Sequence, residues 1–180
     1  MILVILMKHF LVVVDIQNDF VDGALGTDEA KGIIPTAEKA IKDFSGDIFV
    51  TYDTHFDNYM NTAEGAKLPV AHCIKGTSGW ELNEKIADSL KGKNYSAVEK
   101  FTFGSVELPK LIKSAAGDSD FDIALIGLCT DICVVSNALI LKASFPENKI
   151  SVLSDCCAGV TVDSHNAALK TMQMCQIDVL

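Results

Sequence analysis

Residues 11–16 form an apolar run, broken only by Asp15, that stops abruptly at Gln17-Asn18-Asp19. A strand with one face in water alternates in polarity, so an unalternating run must be covered on both faces. Runs of the same kind occupy residues 48–52, 123–128 and 150–153, with a weaker one at 177–180. Between them the apolar spacing becomes helical. Pro35 opens one such stretch, with Ala37, Ile41 and Phe44 along one side. Residues 80–90 line up Leu82, Ile86 and Leu90; 106–115 and 163–174 also read as helices. Residues 131–143 are apolar nearly all round, so that helix should be largely buried. Strands alternating with helices imply an α/β fold of three layers, a mostly parallel, Rossmann-like sheet with helices on both faces. The 180 residues contain no linker-like stretch and are read as one domain spanning 1–180.

Sheets of this kind hold ligands beyond the carboxyl ends of their strands. Asp15, Asp53 and the segment 129–133 all fall at such ends. Cys133 follows the strand at 123–128 and would sit in the first turn of the buried helix. There the helix dipole and free N–H groups favour a thiolate and could hold an oxyanion. By itself it could equally be a small core residue. Asp15, ending a buried strand, is a candidate general base or a helix cap. Lys100 would matter only beside the thiol, where its charge would stabilise the thiolate; alone it reads as a surface lysine.

The long polar segment 56–79 exceeds an ordinary connection, and loops of that length are usually functional. With the strand end before it, it offers Asp53, His55, Asp57, Glu64 and His72. Two imidazoles with one or two carboxylates suit zinc, iron or manganese, although such half-sites also arise by chance. His165 reads as a helix-start residue, and Cys156, Cys157 and Cys175 as core.

A formal net charge of -9 without a basic block argues against nucleic acid. Six cysteines in a chain without a clear signal peptide read as reduced thiols of a cytoplasmic protein. Residues 1–7 are too short to span a membrane, and Lys8 and His9 interrupt them; they read as a strand extension, an early start codon or a targeting segment.

Four stretches together resemble the isochorismatase-like cysteine hydrolases, the superfamily that includes nicotinamidase. They are Asp15-Ile16-Gln17-Asn18-Asp19-Phe20, Tyr52-Asp53-Thr54-His55, Lys100 with Phe103-Gly104-Ser105, and Gly127-Leu128-Cys129-Thr130-Asp131-Ile132-Cys133-Val134. The resemblance runs from Leu11 nearly to the C-terminus. It implies a catalytic Asp15, Lys100 and Cys133, a cis peptide before Cys129, and an oxyanion hole from the N–H groups of Cys129 and Cys133. Its nicotinamidase branch implies a divalent metal on Asp53, His55, Glu64 and His72; the donor set suits zinc first, with iron or manganese as alternatives, and Asp57 is the reserve ligand if Glu64 points away. It implies a small amide substrate, with Phe20 as one wall of its site, and a homodimer or homotetramer. The chain departs from the branch at Leu68-Pro69-Val70-Ala71-His72, where an aromatic residue and two prolines are expected before the histidine. Leu68 in place of an aromatic wall puts a pyridine ring in question more than the chemistry. The alternatives are a metal-free isochorismatase-type enzyme, another carbon–nitrogen hydrolase of the superfamily acting on a non-aromatic amide or carbamoyl group, or a non-catalytic metal- or redox-responsive protein.

Overall fold

Each apolar run becomes a strand in the computed structural model, which describes residues 7–180. The leading segment, apart from Met7, lies outside the described residues. Strands β1 (Lys8–Val14), β2 (Asp47–Asp53), β3 (Tyr95–Lys100), β4 (Phe121–Leu128), β5 (Ile150–Ala158) and β6 (Asp178–Val179) form one sheet in the order β3-β2-β1-β4-β5-β6. All five pairings are parallel. The strand order reverses at the β1–β4 pair, which makes the crevice above those strands the natural ligand site.

Among the described residues, eight α-helices cover the sheet: α1 (Asn18–Val21), α2 (Asp28–Gly32), α3 (Ile34–Asp43), α4 (Ala63–Lys67), α5 (Glu84–Ser89), α6 (Leu108–Ala116), α7 (Val135–Ser144) and α8 (Val162–Met174). Alternate strand residues feed two separate cores. Phe10, Val12 and Val14 point toward Leu108 and Ile112 of α6, Ala138 and Leu141 of α7 and Met172 of α8. Leu11 and Val13 point the other way, toward Ala37 and Ile41 of α3 and Ile86 of α5. This is the three-layer arrangement that unalternating strands require. Among the described residues, no helix is long and apolar enough to cross a membrane.

The differences from the sequence reading have local causes. β3 has no apolar run because it is an edge strand: only Val98 and Lys100 of its six residues are buried. The helix expected over residues 80–90 shrinks to α5, because Leu82 forms an isolated antiparallel bridge with Gln17 instead. The segment 56–79 is not wholly irregular; it holds a 3₁₀ turn at Tyr59–Asn61 and the short helix α4, capped by Thr62. Cys156 and Cys157 are buried, but Cys175, read as core, is exposed, because it follows the last turn of α8.

Candidate active site

β1 ends where its backbone turns into the left-handed region at Asp15, φ +48°. That turn leaves Asp15 wholly buried above the sheet, where its Oδ1 accepts a hydrogen bond from Thr51 Oγ1 at 2.6 Å. β2 and β3 run in register so that Asp53 pairs with Lys100, and both side chains emerge at the same level. β4 reaches the crevice through Gly127, whose φ of +123° and contact with β1 admit no side chain: a Cβ would lie 2.1 Å from Val14 O. Past the cis Leu128–Cys129 peptide, the chain winds a wide π-helical turn, Thr130–Val134, that runs into α7. Cys133 lies in this turn, and no residue from Thr130 to Lys142 is exposed, as an all-round apolar helix requires. Two side chains moor the turn to the start of α8. Thr130 Oγ1 lies 2.8 Å from Nδ1 of His165, and Asp131 Oδ1 accepts from the Val160 N–H at 3.1 Å. His165 does sit in the opening turns of α8.

These elements bring the three expected reactive groups together. Lys100, 2% exposed, places Nζ 2.7 Å from Asp15 Oδ2, 3.1 Å from Asp53 Oδ1 and 3.4 Å from Cys133 Sγ. The Asp15 contact is an ion pair without hydrogen-bond alignment, and Asp15 Oδ2 has no other polar partner. Burial pushes the Cys133 thiol well above its ordinary pKa, and the neighbouring Asp15 charge adds to this while Lys100 opposes it. Burial also raises Asp15, against the lowering effect of Lys100. Burial alone would discharge Lys100, but Asp15, Cys133 and Asp53 outweigh it and hold the ammonium charged. The resting thiol therefore keeps its proton, beside a carboxylate whose proton affinity has itself been raised. Cys129, half-buried at the start of the turn, also has its thiol pushed up, to about 12, by burial; what sets Cys133 apart is its contact with Lys100.

The second constellation adjoins the first through Asp53. Asp53, His55 and His72 are buried, with potential ligand atoms all within 4.8 Å of one another. His55 Nε2 and His72 Nε2 lie 3.1 and 3.6 Å from Asp53 Oδ2. Glu64 reaches in from α4, its Oε1 3.7 Å from both Nε2 atoms. The His72 Nδ1–H donates to Val70 O at 2.8 Å, which turns the Nε2 lone pair toward the cluster. The Tyr59 ring meets both imidazoles, with centroids 4.7 and 5.0 Å away. Two imidazoles and carboxylate oxygens around one point fit a divalent cation. Burial would raise Asp53, but its polar contacts with His55 and His72 and the charge of Lys100 hold it well below the usual carboxylate range. Asp57 is exposed and stands apart.

Phe20 is buried with its ring 5.5 Å from that of His72, against the ligand cluster. Leu68 is 37% exposed, and its carbonyl is held by the Tyr59 hydroxyl at 2.9 Å. Sequence reasoning assigned no role to Thr51, Gln17 or Asn137, all wholly buried. Asn137 ties Cys133 O to the segment after β3, through Ser105 N at 2.9 Å. Its place one helical turn beyond Cys133 was the available signal.

The family model described as Isochorismatase domain matches residues 9–180. The nicotinamidase/pyrazinamidase of Mycobacterium tuberculosis is 26% identical over 195 residues, covering 94% of this chain and 97% of that protein. The crystal structure of nicotinamidase/pyrazinamidase from Bacillus subtilis superposes with a TM-score of 0.82 at 25% identity, over 96% of this chain and 99% of that one. The pyrazinamidase of Pyrococcus horikoshii in complex with zinc shares the fold, with a TM-score of 0.78 at 24% identity over 96% of this chain and 98% of that one.

Proposed function

We propose, from the premise that the chain belongs to the isochorismatase domain family, that it hydrolyses the carbon–nitrogen bond of a small amide such as nicotinamide through a thioester on Cys133. The observation that carries this reading is the buried contact of one ammonium, Lys100, with Asp15, Asp53 and Cys133. The nicotinamidase activity of its relatives supports the substrate class.

Asp15 takes the thiol proton as sulfur attacks the amide carbonyl. The transfer is feasible because burial raises the proton affinity of the acceptor as well as the donor, and acid–base transfer is most efficient between matched groups. Lys100 stays charged throughout and offsets the negative charge that moves from Asp15 to sulfur. The N–H groups of Cys129 and Cys133 hold the developing oxyanion. Collapse breaks the carbon–nitrogen bond, and Asp15 returns its proton to the departing ammonia. Water then attacks the thioester, giving a proton to Asp15, which passes it to the Cys133 sulfur as the acid leaves.

Asp53, His55, Glu64 and His72 would hold a divalent ion, zinc by the donor set, with iron or manganese compatible. When bound, such an ion supplies Lewis acidity and lowers the pKa of water. Phe20 forms one wall of the substrate site. A second reading rests on the resemblance: Leu68, exposed, replaces the aromatic residue expected before His72, which favours a non-aromatic amide. Six unpaired cysteines support work in the cytoplasm. The exposed Phe56 and Phe101, stacked with centroids 6.0 Å apart, support assembly into a homodimer or homotetramer.

An ammonia-release screen over aromatic and aliphatic amides, with and without zinc, tests the proposal on wild type and Cys133→Ala. Release by wild type and none by a folded Cys133→Ala is expected. A folded Cys133→Ala with wild-type turnover would overturn the mechanism, and no release by wild type from any amide would favour a non-catalytic role.

A further inference from the structure

We infer that Gln17 is a positioning residue that fixes Asp53, and through it both the reactive ammonium and the metal ligands. The need for such a residue follows from the way β1 stops. The last β1–β2 rung pairs Val14 with Thr51, and the Asp15 N–H still reaches Thr51 O at 3.3 Å. The left-handed turn at Asp15 then carries the chain away. β2 continues to Asp53, so the backbone N–H and C=O of Asp53 face a missing strand. Buried backbone groups without partners are costly.

The Gln17 side chain stands in for that strand. Its Oε1 accepts from the Asp53 N–H at 2.8 Å, and its Nε2 donates to Asp53 O at 2.9 Å and to Trp80 O at 2.8 Å. The amide orientation is unambiguous, because its oxygen meets a donor and its nitrogen meets two carbonyls. The two bonds to Asp53 are buried, and Gln17 itself is at 0% exposure. Asp53 is the residue whose two carboxylate oxygens divide between Lys100 and the imidazoles. A shift of its backbone therefore moves both constellations at once. The same turn reaches the far side of the cluster as well: Asp19 Oδ2 accepts from the Cys73 N–H at 2.7 Å, fixing the residue after His72.

This inference rests on the proposed metal site, so its test includes wild type. Gln17→Met keeps the length and removes all three hydrogen bonds; Gln17→Glu keeps the acceptor and weakens the donor side. Zinc affinity by isothermal titration calorimetry, kcat on an amide that the wild type hydrolyses, and folding by circular dichroism are read for each. Partners behind a metal ligand typically carry about 10- to 100-fold in affinity or activity. Gln17→Met should lose that much in both zinc affinity and kcat while remaining folded, with Gln17→Glu intermediate. A general loosening of the fold would lower the melting temperature without weakening zinc binding. Folded Gln17→Met with wild-type zinc affinity overturns the inference, whatever its activity. If Gln17→Met is unfolded, Gln17→Glu decides by the same two readouts. Failure of the wild type to bind zinc would instead overturn the metal site itself.

Discussion

Lys100→Met should destabilise the protein more at pH 8 than at pH 5. The substitution keeps the stem and removes the ammonium, leaving Asp15 and Asp53 facing each other without a counter-charge. Removing one partner of a buried ion pair costs about 3–5 kcal/mol. Lys100 is buried with two carboxylates, but Asp15 is already pushed toward protonation and relieves part of the loss, so the lower end applies. For a chain of this size each kcal/mol lowers the melting temperature by about 2–4 °C, so 3 kcal/mol gives roughly 6–12 °C. A solvated lysine would give under about 1 kcal/mol. In wild type the Lys100 pKa lies above its ordinary value, so it stays charged from pH 5 to 8 and opposes the rise of the Asp15 pKa. In the variant, Asp15 has a folded pKa above the unfolded value of about 3.9. Between those values the folded state binds more protons than the unfolded one, and stability falls as pH rises. Thermal unfolding by circular dichroism at both pH values, with a chelator present, measures this. A shift below about 2 °C at both, or a larger deficit at pH 5, would refute the account.

Asp15→Asn preserves shape and removes the proton acceptor; kcat should fall by about 100- to 10,000-fold, the range of acid–base groups, in an ammonia-release assay. His55→Ala should retain less than half of the zinc that the wild type carries after dialysis, measured by atomic emission; equal content would remove His55 from the ligand set. Gly127→Ala places a Cβ against Val14 O in a backbone region L-residues avoid, so strain of at least about 1–3 kcal/mol should lower its melting temperature by several degrees. An unchanged melt would mean that β1 and β4 are not packed as described.

The strands of the central sheet were legible because burial on both faces leaves an uninterrupted apolar run. β3 was not, because an edge strand needs only two inward side chains, and one of them is the charged Lys100. That lysine could be identified as reactive only through the resemblance; composition gives it the look of a surface residue. Cys133 and Asp15 were legible from position, at strand ends, and Asp53 and His55 from donor chemistry. Glu64 was harder: α4 is five residues long inside a segment otherwise read as loop, and only the folded chain turns its carboxylate back to the imidazoles. Gln17 illustrates a different limit. Its role is to replace a strand that ends early, and nothing in a linear sequence announces a missing backbone partner.

The reactive groups come from four separate strand ends, and their contacts close long stretches of chain. Thr51 meets Asp15 across 36 residues, Lys100 meets Asp53 across 47, and Cys133 meets Lys100 across 33. No fragment lacking one of those strands contains the site. Parallel pairing also has no hairpin shortcut, and non-local contacts of this kind form late because loop closure must precede them. Regained hydrolysis during refolding therefore reports the completed sheet, and should lag behind the recovery of helical circular dichroism.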